Sequence, residues 1–264
     1  MTSDTKPAFR VLLAEDVKLN QILTQKLLAR SGYQIDIAEN GLRAVEALQN
    51  ADYDVILMDV QMPEMDGIEA TRRIREMEAA TGAHVQIVAM TAHAMAGDRE
   101  RCLAEGMDDY IAKPLSRVDV LRVLENCGSP LASRAPEPPA EPARDGMGPP
   151  MSLYTREEML EQCEGDDKLM ARLIVLFLNN TPRLINDIRG SIARHDGAGL
   201  AFGAHALLSN LGVFGAGDAC HLTRQLEAQA FHKDYEKTDL TFAALERGMA
   251  EIHGALAAYA SPRA

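Results

Sequence analysis

Residues 54–67 read "DVILMDVQMPEMDG". The run "DVILMD" (54–59) is β-like and ends at Asp59, and the Pro, Asp and Gly that follow are turn and helix-start chemistry. Four runs of similar character lie around it: "VLLAE" (11–15), "QIDIA" (34–38), "VQIVAMT" (85–91) and "YIAK" (110–113). Amphipathic patterns near 19–31, 41–50, 66–80, 95–105 and 117–126 predict helices between and after them. Five β-α repeats with right-handed crossovers make an α/β fold, a doubly wound five-stranded parallel sheet with helices on both faces.

Sheets of this kind bind ligands beyond the carboxyl ends of their strands. The residues at those ends are Glu15 and Asp16, Asp59, Thr91, and Lys113 followed by Pro114. Three carboxylates converging on one edge repel one another unless a cation joins them. An all-oxygen donor set favours Mg²⁺, which leaves room for water and phosphate oxygens. A lysine opposite balances charge on an incoming phosphoryl group. Carboxylate attack on phosphorus, giving an aspartyl phosphate, is the chemistry that fits, with Lys113 and Thr91 stabilising the phosphoryl oxygens.

Composition bounds the rest. The chain has 264 residues, enough for two domains, with 47% hydrophobic residues, no Trp and a net charge of −12. An acidic chain without basic stripes or aromatic platforms is a poor match for nucleic acid. The N-terminus lacks the pattern of a signal peptide, and the longest apolar run, "LIVLFL" (173–178), is too short to span a bilayer. Cys102, Cys127, Cys163 and Cys220 are scattered and form no metal-binding spacing. The expectation is a cytoplasmic protein with reduced thiols and no membrane insertion.

The segment 129–150, "SPLASRAPEPPAEPARDGMGPP", holds seven of the 12 prolines and reads as a linker. It separates a domain at 1–128 from one at 151–264. The second reads as all helical. Thr155 and Glu158 form a capping-box pattern, and a helix follows from about 167, which Pro182 should kink or restart. Further helices are expected at 197–212, from Gly215 to about 230, and at 238–260, as a four-helix bundle. On the 197–212 helix, Leu200, Ala204, Leu207 and Leu211 share the core side. The wheel turns His205 away from them, exposed on a face with Phe202, Leu208, Ser209 and Gly212.

The stretches "VLLAEDVKLNQ" (11–21), "DVILMDVQMPEMDG" (54–67), "IVAMTAHA" (87–94) and "GMDDYIAKP" (106–114) resemble a response-regulator receiver domain, a flavodoxin-like fold. The resemblance implies that Asp59 is the phosphoacceptor. It also implies that Glu15, Asp16, Asp59 and the Gln61 carbonyl hold Mg²⁺, that Thr91 and Lys113 contact the phosphoryl group, and that Tyr110 is a switch aromatic. Gln61 and His93 fall where dephosphorylation is tuned in that family. Phosphatases of the haloacid-dehalogenase type need a second Asp two residues after the nucleophile, where this chain has Gln61.

The second domain is similar to a histidine phosphotransfer (HPt) domain. "AHALLS" (204–209) stands for the family's A-H-x-L-K-G, with Gly215-Ala216 following. His205 is then a phosphoacceptor, and Phe202, Leu208, Ser209 and Gly212 form a docking face. Leu208 replaces the family's lysine and Ser209 its glycine, so phosphohistidine should be held less firmly. The two resemblances together imply a phosphorelay protein. A sensor histidine kinase would supply phosphate, and other receiver or HPt proteins would exchange it. A phosphate sink, or a non-catalytic regulator in which receiver phosphorylation controls docking, are the alternatives. No ATP-binding kinase domain is recognisable, so the expected role is a carrier with covalent Asp and His intermediates.

Overall fold

A computed structural model describes residues 9–91, 96–113, 115–128, 153–232 and 235–260. His93, Pro114 and the proline-rich segment 129–150 lie outside the described residues. The rest falls into two compact units, taken in turn.

The first unit alternates strand and helix: β1 Arg10–Ala14, α1 Lys18–Arg30, β2 Gln34–Ala38, α2 Gly41–Asn50, β3 Val55–Asp59, α3 Gly67–Thr81, β4 Gln86–Thr91, α4 Ala96–Ala104, β5 Asp109–Ala112 and α5 Arg117–Asn126. All ladders are parallel, in the order β2-β1-β3-β4-β5. Alternate residues of the central strands serve opposite layers, as the two-residue period of a strand requires. Leu12, Ile56, Met58 and Ile87 cluster with Val45 of α2 and Ile68 and Ile74 of α3. Val11, Leu13, Val55, Leu57 and Val88 cluster with Leu28 of α1 and Val120 and Leu124 of α5. Every residue of β3 is buried, Asp59 included, because both of its faces are covered.

The strand order reverses direction between β1 and β3, and the crevice beyond their carboxyl ends is where a ligand fits. Local chemistry fixes that edge. Asp66 caps α3, its side chain accepting the Glu69 amide at 2.8 Å. Gly67 opens the helix directly against the end of β3. A Cβ there would lie 2.1 Å from the Asp59 carbonyl oxygen, so no side chain fits.

The second unit is all helical: α6 Arg156–Gln162, α7 Asp167–Ala193, α8 Gly197–Gly212, α9 Gly217–His232 and α10 Tyr235–Ala260. The longer helices α7, α8, α9 and α10 pack each on the next, and α10 returns to α7. The capping box at Thr155 forms, with Thr155 Oγ1 accepting the Glu158 amide and Glu158 Oε2 accepting the Thr155 amide at 2.8 Å. Pro182 does not restart the helix, for α7 runs unbroken through it. A proline removes only one N–H from the ladder. Beside it, Thr181 Oγ1 donates back to the Phe177 carbonyl at 2.8 Å, and the buried apolar residues on either side keep α7 in the core. The α8–α9 turn is set by Gly215, at φ 67°, a conformation that favours glycine.

Candidate functional site

At the carboxyl edge of the sheet, Glu15 follows β1 and Asp59 ends β3, each only 1% exposed; Asp16 beside Glu15 is half-buried. Lys113, just past β5, reaches between them. Its Nζ donates to Asp59 Oδ2 at 2.5 Å and lies 2.7 Å from Glu15 Oε2. Lys113 is held in place through its backbone, whose amide donates to the Thr91 carbonyl at 2.7 Å. Thr91 ends β4 and is buried at the same edge. The Gln61 amide approaches Asp59 Oδ1 at 3.4 Å, while its side chain is exposed. Tyr110 is half-buried on β5, with the Arg99 guanidinium 5.2 Å above its ring. Six of the residues singled out at this edge, Glu15, Asp16, Asp59, Gln61, Thr91 and Lys113, therefore converge on one crevice, and Tyr110 stands beside it on the strand that delivers Lys113.

The electrostatics are those of too much negative charge in too little water. Burial drives the Glu15 carboxyl up to about 7; Asp59 adds to the rise, and the Lys113 and Asn20 contacts oppose it. Burial alone would lower the Lys113 ammonium, but the Asp59 and Glu15 carboxylates outweigh it, and the group is held protonated. One ammonium faces three carboxylates, whose ligand oxygens on Glu15, Asp16 and Asp59 lie within 4.8 Å of one another. This all-oxygen, net anionic donor set fits a divalent cation of the Mg²⁺ type. It is the only grouping of three or more such ligands among the described residues.

In the helical unit the expectation of an exposed His205 is corrected. His205 is 7% exposed, and Leu208 (4%) and Ser209 are buried with it. Gly212 is half-buried, so of the four expected docking residues Phe202 alone is well exposed, at 47%. The physical reason is that α8 lies between α7 and α9 and carries no Asp, Glu, Lys or Arg. A helix that is small or apolar all round buries more than one stripe. All nine residues from Gly203 to Leu211 are buried. Gly203 shows how closely α7 approaches, since a Cβ there would meet Ile188 Cγ1 at 2.9 Å.

The environment of His205 is nonetheless specific. Its Nδ1 faces Glu227 Oε1 of α9 at 3.3 Å, and its Nε2 has no hydrogen-bond partner. A carboxylate only accepts, so Nδ1 carries a proton, and in the neutral ring Nε2 is the nitrogen with the lone pair. Sequence reasoning missed Glu227. The available signal was an acidic residue at the margin of the buried stripe Cys220, Thr223, Leu226 and Ala230 of α9. It also missed Asn20 and Gln21, which contact Glu15 from α1.

Residues 11–125 match the family model described as "Response regulator receiver domain". The "Hybrid signal transduction histidine kinase I" of Dictyostelium discoideum is 47% identical over 112 residues, covering 40% of this chain and 6% of that protein. The "Signal transduction histidine-protein kinase BarA" of Escherichia coli (strain K12) is 30% identical over 234 residues, covering 87% of this chain and 25% of that protein. Among solved structures, the receiver domain of the sensor histidine kinase PA1611 from Pseudomonas aeruginosa PAO1, crystallised with a magnesium ion in its active-site cleft, is 41% identical. It covers 46% of this chain and 99% of that chain, with a TM-score of 0.43. The chain spans a quarter or less of the length of the curated relatives it matches.

Proposed function

We propose that this chain, whose residues 11–125 are a response regulator receiver domain, carries phosphoryl groups in a two-component phosphorelay, on Asp59 of the receiver and on His205 of the helical unit. The observation that carries the receiver half is the Lys113 ammonium bridging Asp59 and Glu15 at the edge of the sheet. Asp59 Oδ attacks phosphorus on a phosphohistidine of a partner histidine kinase, and the N–P bond breaks with its electron pair returning to the imidazole. Lys113, already protonated, moves from charge balance on the carboxylates to charge balance on the transferred group. The Thr91 hydroxyl offers a further donor to the phosphoryl oxygens. Glu15, Asp16, Asp59 and the Gln61 carbonyl are the residues that would hold Mg²⁺, which supplies further charge neutralisation when bound.

For the helical unit, which we read as an HPt domain at 151–264 joined to the receiver domain at 1–128 by the linker 129–150, support comes from two sides. The similarity to BarA covers 87% of the chain, which is more than residues 11–125 can contain, so it reaches into the helices. The imidazole is also arranged for nucleophilic attack: Nδ1–H faces Glu227, and Nε2 holds a lone pair. When Nε2 bonds to the phosphorus of an aspartyl phosphate, the acyl O–P bond breaks with its electron pair returning to the carboxylate, and the imidazolium charge that develops is stabilised by the Glu227 carboxylate. Phe202 is the exposed anchor for a docking receiver. Partners are then a sensor histidine kinase and other receiver or HPt proteins, in the cytoplasm. No described helix is long and apolar enough to cross a membrane.

One observation favours a second reading. His205, Leu208 and Ser209 are all buried, which suits a regulator whose helical unit docks without accepting phosphate. Phosphoryl capture by wild type, Asp59→Asn and His205→Gln separates the two. A relay loses histidine-linked phosphate in His205→Gln, whereas a regulator has none to lose.

A further inference from the structure

Helix α1 begins with no side-chain cap, because its N-cap residue is Val17. The buried carboxylate of Glu15 serves instead. Glu15 Oε1 accepts the Val17 amide at 3.1 Å and the Asn20 side-chain amide at 3.0 Å. With Oε1 committed to the helix, Oε2 faces Lys113 at 2.7 Å, within the acidic cluster. The next residue, Gln21, is 1% exposed, and its Nε2 donates to the Glu15 main-chain carbonyl at 2.6 Å. Its Oε1 accepts in turn from Lys18 Nζ at 3.0 Å. The first turn of α1 thus grips one residue by both its carboxylate and its backbone.

We infer that Asn20 and Gln21 are positioning residues for the metal site. Asn20 fixes the rotamer of Glu15 so that a single oxygen is presented to the cation, and Gln21 fixes the backbone from which that side chain projects. Asn20 touches no reacting group itself and acts through Glu15. Partners that orient a metal ligand typically contribute about 10–100-fold in metal affinity. The inference rests on reading Glu15 as a ligand of the proposed receiver chemistry.

The test is calorimetric titration of the full chain with Mg²⁺ alone, beside phosphoryl capture from acetyl phosphate at graded Mg²⁺. Asn20→Ala is expected to weaken Mg²⁺ binding about tenfold. The Mg²⁺ concentration for half-maximal capture should rise in step, while the rate at saturating Mg²⁺ stays near wild type. Asn20→Asp places a second carboxylate against Glu15 and should rearrange the ligands, with a larger loss. Leu23→Ala is the structural control. It removes a buried residue of the same helix and should lower the melting point without moving Mg²⁺ affinity. Asn20→Ala binding Mg²⁺ within twofold of wild type overturns the inference, as does Leu23→Ala weakening Mg²⁺ equally. If Asn20→Ala fails to fold, Asn20→Ser is judged by the same thresholds. Wild type that binds Mg²⁺ but takes no phosphate at Asp59 contradicts the functional reading and leaves the Asn20 result intact. Wild type that binds no Mg²⁺ overturns both.

Discussion

Replacing Gly67 by alanine tests whether the end of β3 and the start of α3 meet as closely as described. The added Cβ would stand 2.1 Å from the Asp59 carbonyl oxygen, 1.3 Å inside the 3.4 Å at which ordinary contact begins, and 3.0 Å from Met58 Cγ. The oxygen belongs to a fully buried strand and cannot rotate away. The helix start must therefore move, and the Gly67 amide loses its 3.0 Å bond to the Val60 carbonyl. Overpacking of this kind costs about 1–3 kcal/mol, and the hydrogen bond adds about 1 kcal/mol, for roughly 2–4 kcal/mol in the receiver unit. Urea denaturation followed by circular dichroism gives the stability, with the transition of the helical unit as internal reference. Because the clash is with Asp59 itself, capture of phosphate from acetyl phosphate should fall as well, while histidine chemistry on isolated transfer to His205 is spared. A Gly67→Ala protein within about 0.5 kcal/mol of wild type would refute the geometry.

Two further outcomes concern the helical unit. Leu208→Lys puts an ammonium where a side chain is 4% exposed, so it should destabilise the unit by about 2–3 kcal/mol; an unchanged melting transition would show that position 208 faces solvent. His253 is packed against Phe177 and bonded through Nε2 to Thr181 Oγ1 at 2.6 Å, and burial lowers its pKa below the ordinary 6.5. The fold therefore favours the neutral ring: its stabilisation is present above about pH 6.5 and is lost as the pH falls through the lowered folded value. The melting point of the helical unit should drop on acidification, and His253→Gln should flatten that drop; identical pH profiles would contradict it.

The receiver was legible because its signals are strong and mutually consistent. Apolar runs of strand length end in the residues proposed to do the chemistry, so Asp59, Thr91 and Lys113 fall at strand ends on the sequence pattern alone. Elements begin and end within a residue or two of expectation. The failures are of a different physical kind. A helical wheel assumes one core-facing side, and α8 is packed from two; with alanine, glycine and leucine around it, nothing in its sequence marks a solvent face. Glu227 lies on another helix and becomes visible only when α9 is laid beside α8. Asn20 and Gln21 read as ordinary first-turn polar residues until Asn20 is seen to donate to Glu15 Oε1 and Gln21 to the Glu15 carbonyl. Pro182 is tolerated because the tertiary packing of α7 outweighs one missing hydrogen bond.

The most direct test of the central claim is the fate of labelled phosphate. Wild type, Asp59→Asn and His205→Gln are incubated with radiolabelled acetyl phosphate and Mg²⁺. Each product is then split by stability, since aspartyl phosphate is lost in base whereas phosphohistidine survives base and is lost in acid. The account predicts both kinds of label in wild type, neither in Asp59→Asn, and the base-labile kind alone in His205→Gln. Label that persists unchanged through both substitutions would contradict it.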